Sequence, residues 1–104
     1  MSWIFLIVAG LFETAWALAM KESEGFSKAG PTVVFLVTLL ISMVLLSIAL
    51  AELPVGTGYA VWVGIGAVGT AIAGMLWLGE PAVASRMVPI GLIAVGVVWL
   101  AAGE

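Results

Sequence analysis

One carboxylate, Glu13, lies near the middle of the apolar stretch LIVAGLFETAWALAM at residues 6–20. A charged side chain at the centre of a membrane-spanning helix costs roughly 2.5 to 3.5 kcal/mol on insertion scales, and such groups usually mark ion or proton pathways. Gly10 and Trp16 lie three residues before and after Glu13 and therefore share its helical face. A glycine lets another backbone approach closely, and an indole N–H can donate to an anion. The spacing predicts a site at Glu13 that binds a proton or a cation.

The composition places Glu13 in a membrane and narrows its chemistry. The chain has 104 residues, of which 64% are hydrophobic and 9% charged, with a net charge of −3 and neither cysteine nor histidine. Soluble domains carry about a quarter charged residues, so we predict an integral membrane protein. Thiolate chemistry and histidine-ligated metals are excluded, and we expect no metal, no cofactor and no enzymatic activity. No Lys or Arg lies inside an apolar run; the alternative to a functional Glu13 is one that is protonated or neutralised by a partner helix.

Four apolar runs separated by short polar connections organise the chain. Each is long enough, or nearly so, to cross a bilayer, and they cover about residues 3–20, 32–50, 55–78 and 87–102. Continuous apolar runs without two-residue alternation indicate helices and not barrel strands. The first run has no basic residue before it and contains Glu13, which argues against a cleaved signal peptide. We predict an all-α integral membrane protein, a single four-helix transmembrane domain over 1–104, with Pro89 in the first turn of the last helix.

The third run carries an aromatic and glycine-rich stripe at helical spacing. Its members are Tyr59, Trp62, Gly66 and Gly69, and aromatic rings near a carboxylate suit a cation. Gly64 and Gly66 weaken the helix locally and predict a bend between its two halves. The alternative is that the rings lie at the membrane interface and the glycines only pack.

The longest motifs of the chain resemble one membrane-protein family. They are W-x6-G-x-x-E-x-x-W at 3–16, MKESEGFSK at 20–28, PVGTGYAVWVGIGA at 54–67 and GEP at 79–81. Together they are similar to the small multidrug resistance family over nearly the whole chain. The tryptophan three residues after the glutamate is similar to the guanidinium exporter subtype. The chain departs from that pattern at Gly58 and Val63, where the subtype usually has an alanine and a small polar residue.

The resemblance implies a role for each candidate residue. Glu13 would bind proton and substrate in turn, with Trp16 and Ser42, the one clearly mid-span hydroxyl of the second run, as its hydrogen-bond partners. Tyr59 and Trp62 would line the pocket and belong to the same network. Such proteins act as antiparallel dimers whose two carboxylates face one pocket.

The resulting hypothesis is a proton-coupled antiporter in the bacterial cytoplasmic membrane. Guanidinium or a small guanidinyl cation would compete with protons for Glu13, with no nucleic acid involved. The alternatives are an exporter of quaternary ammonium or other organic cations, and a membrane assembly subunit that transports nothing. A rotary-ATPase ring subunit typically has two spans, and an ion channel needs several polar rings along its pore, so both fit less well.

The basic residues are all predicted on one side of the membrane. Lys21, Lys28 and Arg86 fall in the first and third connections, whereas the opposite side has Glu52, Glu104 and no Lys or Arg. The positive-inside rule therefore predicts that both termini are outside. An antiparallel homodimer needs the same chain inserted both ways, which a three-to-none distribution disfavours. Two partners stay open: an oppositely inserted copy, or a second family member of opposite topology.

Overall fold

Four α-helices make up the computed structural model, which describes residues 1–103. They are α1 (Ser2–Glu22), α2 (Ala29–Leu50), α3 (Val55–Trp77) and α4 (Ala84–Ala102), and no strand occurs within those 103 residues. All four helices are long and apolar enough to cross a membrane, which confirms the predicted all-α, four-span fold. Glu104, which entered the comparison of the two membrane sides, lies outside the described residues.

Three of the four helices extend beyond the apolar runs, whereas α3 ends one residue before its run does. α2 and α4 begin three residues earlier than the runs predict, at Ala29 and not 32, and at Ala84 and not 87. Polar residues at the start of α4 remain helical because an exposed first turn can satisfy its N–H groups with water. The earlier start places Pro89 inside α4, so the prediction that it lies in the first turn is wrong.

A tight polar turn connects α1 to α2. Glu24, Gly25 and Phe26 have positive φ angles of 49°, 74° and 66°. The buried Ser23 hydroxyl donates to the Met20 carbonyl at 2.7 Å and accepts from the Phe26 N–H at 3.0 Å. These local bonds replace helical ones and hold the chain in its left-handed turn.

Helix α1 is central to the packing. It packs against both α2 and α3, whereas α4 packs against α3. The buried apolar core lies between the first three helices and comprises Leu6, Ala9, Leu46, Ala49, Val61 and Trp62. Across Ala84–Ala102, no residue of α4 is buried. The first three helices therefore form the packed unit that positions Glu13, with α4 at its side.

The two ends of the bundle differ in charge. At the end that holds the N-terminus, the Ser2 hydroxyl donates to the Glu52 carboxylate at 2.9 Å and joins α1 to the α2–α3 connection. The opposite end carries two ion pairs, Glu24 with Lys28 at 2.6 Å, and Glu80 with Arg86. Charge is therefore concentrated where the first and third connections lie, as the sequence predicts.

Candidate functional site

The Glu13 carboxylate lies directly against the backbone of α3. Gly66 is buried, and a Cβ added to it would overlap the carboxyl group of Glu13. One carboxylate oxygen, Oε1, is buried and has no hydrogen-bond partner among the described residues. A buried acceptor without a partner costs free energy comparable to a lost hydrogen bond. The chain thus presents an anionic group that is unsatisfied by its own side chains.

Glu13 lines a cavity of about 450 Å³ that reaches one end of the bundle. Lys21, on the same helix, lines this cavity two turns beyond Glu13, about 12 Å along the axis. Glu80 and Arg86 line it as well, from the α3–α4 connection and the start of α4. We call the part formed by Lys21, Glu80 and Arg86 the mouth of the cavity. The remaining lining residues are small or apolar apart from one hydroxyl: Ala17, Leu18, Gly66, Ala67, Thr70, Ala71, Gly74 and Leu78.

The seam between α1 and α3 is built on small residues. The Thr14 hydroxyl donates to the Gly66 carbonyl at 3.3 Å, and a Cβ at Gly69 would overlap that same hydroxyl. Close approach of this kind is what small residues allow between membrane helices. Thr14 was not identified from the sequence. The signal that could have found it is its position next to Glu13, together with the two glycines three residues apart in the third run, Gly66 and Gly69.

Trp16 does not hydrogen-bond Glu13 within the chain. Its indole Nε1 is buried without a hydrogen-bond partner in the part that the structure describes. The ring packs edge-on against Phe35 of α2, with centroids 5.9 Å apart and planes at 81°. Trp16 therefore turns toward α2, while Glu13 turns toward α3. The chain leaves a donor and an acceptor, one helical turn apart on α1, both unpaired.

Ser42 and Trp62 form a buried hydrogen-bond chain that ends on α1. The Ser42 hydroxyl donates to the Ala9 carbonyl at 2.7 Å and accepts from the Trp62 indole at 3.0 Å. A hydroxyl has only one proton to donate. In this arrangement Ser42 therefore does not donate to Glu13, which differs from what the resemblance implies. Ala9 lies one turn before Glu13, and the network therefore fixes α1 just beside the site.

Tyr59 lies apart from the Glu13 cavity. Its side chain is 52% exposed, and its ring contacts that of Trp62 at 5.3 Å between centroids. It lines a separate apolar groove of about 470 Å³ between α3 and α4, together with Val63. Within one chain, neither Tyr59 nor Trp62 lines the cavity that Glu13 occupies. Their role as part of one pocket with Glu13 stays a prediction.

The other predicted glycines mark close contacts between helices. A Cβ at Gly10 would lie 2.6 Å from Cγ2 of Ile65, and one at Gly64 would overlap Val97 of α4. Helix α3 runs without interruption through Gly64 and Gly66, so the bend between its halves stays a prediction. At Gly58, the place of the missing methyl group is taken by the end of Leu50.

The mouth of the cavity is the part of the site that the sequence did not reveal. Glu80 was recognised only as part of the GEP motif, and Arg86 and Lys21 only as charges in connections. The spacing of Glu80 and Arg86 along the chain carries no helical period that links them to Glu13, whereas Lys21 is eight residues after Glu13 on the same helix. Among residues 1–103, no group of three or more His, Cys, Asp or Glu side chains could hold a metal ion.

Comparisons with known proteins cover nearly all of the chain. A family model described as Small Multidrug Resistance protein matches residues 1–93. A protein of Salmonella typhimurium named guanidinium exporter is 51% identical over 100 residues, which are 96% of this chain and 95% of the relative. Proteins of the same name are 48% identical in Citrobacter freundii and 50% identical in Yersinia pseudotuberculosis, each over 100 residues and 96% of this chain. These two matches cover 95% and 96% of the relatives.

Proposed function

This chain belongs to the small multidrug resistance family, and we propose that it exports guanidinium or small guanidinyl cations in exchange for protons that compete for Glu13. It is a multi-pass membrane protein, and we place it in the bacterial cytoplasmic membrane. One observation carries the proposal: Glu13 lines a cavity, and its buried Oε1 has no hydrogen-bond partner among residues 1–103. We infer that the positive group that completes this site comes from outside the chain.

The charge distribution supports an external cation or proton. Of the three basic residues, Lys28 pairs with Glu24 and Arg86 pairs with Glu80, while Lys21 is exposed at the end of α1. Removal from water disfavours the charged form of a carboxyl group, and a neighbouring cation favours it. A proton and a cation therefore bind Glu13 in competition. If the protein exchanges access only when the site is occupied, a proton gradient drives the cation outward.

The groups around Glu13 suit a guanidinium ion. Guanidinium is planar, stays charged and offers a fork of N–H donors to carboxylates, and its face stacks on aromatic rings. The Trp16 indole N–H, one turn from Glu13, has no partner among residues 1–103, although its ring packs against α2 and does not line the Glu13 cavity. The relatives named guanidinium exporter, at about half identity over 96% of the chain, support the same substrate.

We propose that the working unit is an antiparallel dimer. Helix α4, with no buried residue across Ala84–Ala102, leaves an apolar side available to a second chain. The basic residues that the guanidinium exporter subtype often places in the α2–α3 connection and at the end of α4 are absent, with Ala51 and Ala101 nearby. The three-to-none charge distribution favours a partner of opposite topology, and a dual-topology homodimer is the alternative.

Cysteine labelling can decide between these partners, because the chain has no cysteine of its own. Single cysteines are placed at position 104 and, as a control for the other side, at Ser27. When the chain is expressed alone, we expect position 104 to be labelled from outside and position 27 from the cytoplasm. Labelling of both positions from both faces, together with guanidinium transport by the lone chain, would exclude an obligate heterodimer.

Replacement of the carboxylate tests the proposed function directly. In proteoliposomes with a proton gradient, guanidinium flux by Glu13→Gln should fall to the level of empty liposomes, since neither proton nor cation has a charged group to bind. Glu24→Gln, which removes an exposed carboxylate at the end of the bundle, should transport like the unmodified protein. Coupled transport by Glu13→Gln would overturn the proposal, as would transport of bulky quaternary cations without guanidinium. A lack of any flux by the unmodified pair of chains would indicate an assembly subunit.

A further inference from the structure

A second carboxylate lines the Glu13 cavity, and it already holds a guanidinium group. Glu80 and Glu13 are the two carboxylates among the described lining residues. Glu80 forms an ion pair with Arg86, whose side chain ends in the same guanidinium group as the proposed substrate. The two side chains are 41% and 33% exposed, respectively. The pair is therefore reached by water at the mouth of the cavity.

Glu80, like Glu13, has its carboxylate against a glycine of α3. Its backbone N–H donates to the Gly74 carbonyl at 3.1 Å, after a left-handed Gly79 with φ of 71°. A Cβ at Gly74 would overlap the Glu80 carboxylate, just as one at Gly66 would overlap that of Glu13. Gly66 and Gly74 are eight residues apart, about 12 Å along α3. The two carboxylates therefore lie against the same helix about two turns apart, one deep and one near its end.

We propose that Glu80 is a second cation site, held by Arg86 when the cavity is empty and taken by a substrate guanidinium on its way to or from Glu13. The identity of the cation rests on the proposed function. Exchange of one guanidinium for another preserves the charge and the N–H···O hydrogen bond at the carboxylate, so the free-energy difference between the two states is small.

The local charges explain why such a site is needed. Lys21 and Arg86 place two positive groups at the mouth of the cavity, and these repel an approaching cation. Glu80 offsets one of them, and a carboxylate at a cleft entrance raises the local concentration of cations. Arg86 can leave Glu80 at low cost because an ion pair open to water contributes little stability. The Arg86 Nε atom is buried and has no hydrogen-bond partner among residues 1–103, since Arg86 contacts Glu80 through another nitrogen of the guanidinium group.

Arg86 provides its own reporter, because it is the single arginine of the 104 residues. With ¹⁵N-labelled arginine, its Nε–H gives one side-chain NMR signal. We expect guanidinium chloride to shift this signal saturably in the unmodified protein and in Glu13→Gln, whereas choline chloride at equal ionic strength does not. In Glu80→Gln the saturable shift should disappear, and in Glu24→Gln it should persist.

Transport kinetics give a second measurement. Glu80→Gln should raise the KM for guanidinium about two- to fivefold, the range of an exposed ion pair, while kcat changes less than twofold. Glu24→Gln, on the same side of the membrane but outside the cavity, should leave both values unchanged. A fall in kcat with an unchanged KM would show that Glu80 has only a structural role and would overturn the proposal.

The outcomes separate this site from the proposed function. The second site is refuted when guanidinium does not shift the Arg86 NMR signal in Glu13→Gln, or when choline shifts that signal equally. Either result counts against the second site even when the unmodified protein transports guanidinium normally. A saturable, Glu80-dependent shift in a protein that transports no guanidinium supports the second site and refutes the proposed function.

Discussion

Glu13 and Glu80 lie on glycines of the same helix and line the same cavity, but they differ in their partners. Glu80, at the end of the bundle, is paired with a guanidinium group that the chain itself supplies. Glu13, inside the apolar part, has a buried oxygen without a partner in the described chain. The same carboxylate on the same kind of glycine is satisfied in one place and unsatisfied in the other. This contrast supports the proposal that Glu13 is the position that binds a ligand.

The difference follows from the cost of charge at each depth. An arginine at the bundle end can hold Glu80 while water still reaches both groups, so the pair is cheap to form and to break. A second permanent charge beside Glu13 would have to be inserted into the hydrocarbon region. In the proposed function, a mobile cation or a proton would satisfy Glu13 without that permanent cost.

The largest expected effect comes from a change at Gly66, the glycine beneath Glu13. Gly66→Ala should lower guanidinium transport about tenfold or more, because the added Cβ displaces the carboxylate from its position. Gly56→Ala is the matched control on the same helix, since its Cβ would meet no atom within 4 Å. Both variants should keep their thermal stability in detergent. Normal transport by Gly66→Ala in proteoliposomes would show that the position of Glu13 against α3 is unimportant.

A smaller effect is expected when Glu80 is made to resemble Glu13 by removal of its partner. In a Glu13→Gln background, Arg86→Gln should tighten guanidinium binding at Glu80 about two- to fivefold, because the competing side chain is gone. Calorimetric titration measures the affinity. Lys28→Gln is the control: it frees Glu24, whose carboxylate is exposed and outside the cavity, so affinity should not change. Equal or weaker binding by the Arg86 variant would mean that Arg86 and substrate do not compete.

The smallest expected effect is at Gly74, beneath Glu80. Gly74→Ala should raise the KM for guanidinium about twofold. The added Cβ meets the Glu80 carboxylate, which is the end of a flexible, water-exposed side chain and can shift at little cost. Initial-rate measurements with Gly56→Ala alongside provide the comparison. A loss of guanidinium transport as large as that of Gly66→Ala would show that the mouth of the cavity limits transport as strongly as Glu13 does. It would contradict the proposed difference between the two carboxylates.

The helices and Glu13 could be predicted from sequence because hydropathy and the cost of an intramembrane charge are local properties. The helix ends were less predictable, since polar residues such as Arg86 continue α4 outside the apolar run. The meeting of Lys21, Glu80 and Arg86 in one cavity depends on how three helices pack, which no local spacing encodes.

Two hydrogen bonds implied by the resemblance differ within the chain for physical reasons. The Ser42 hydroxyl uses its one proton on the Ala9 carbonyl, 2.7 Å away beside the packed core. Trp16 packs against Phe35, on a different side of α1 from the one that meets Gly66. Sequence spacing placed these residues on neighbouring positions of a helix, but the choice of hydrogen-bond partner is made by tertiary packing.

The lack of buried residues in α4 also bears on how this protein can evolve. Because the core that holds Glu13 is made by the first three helices, substitutions on the outward side of α4 leave that core undisturbed. After a gene duplication, two copies can therefore diverge along α4 and acquire different pairing preferences while both retain an intact ion-binding carboxylate. In the proposed dimer, the outward residues of α4 that would select a partner lie apart from the core that holds Glu13.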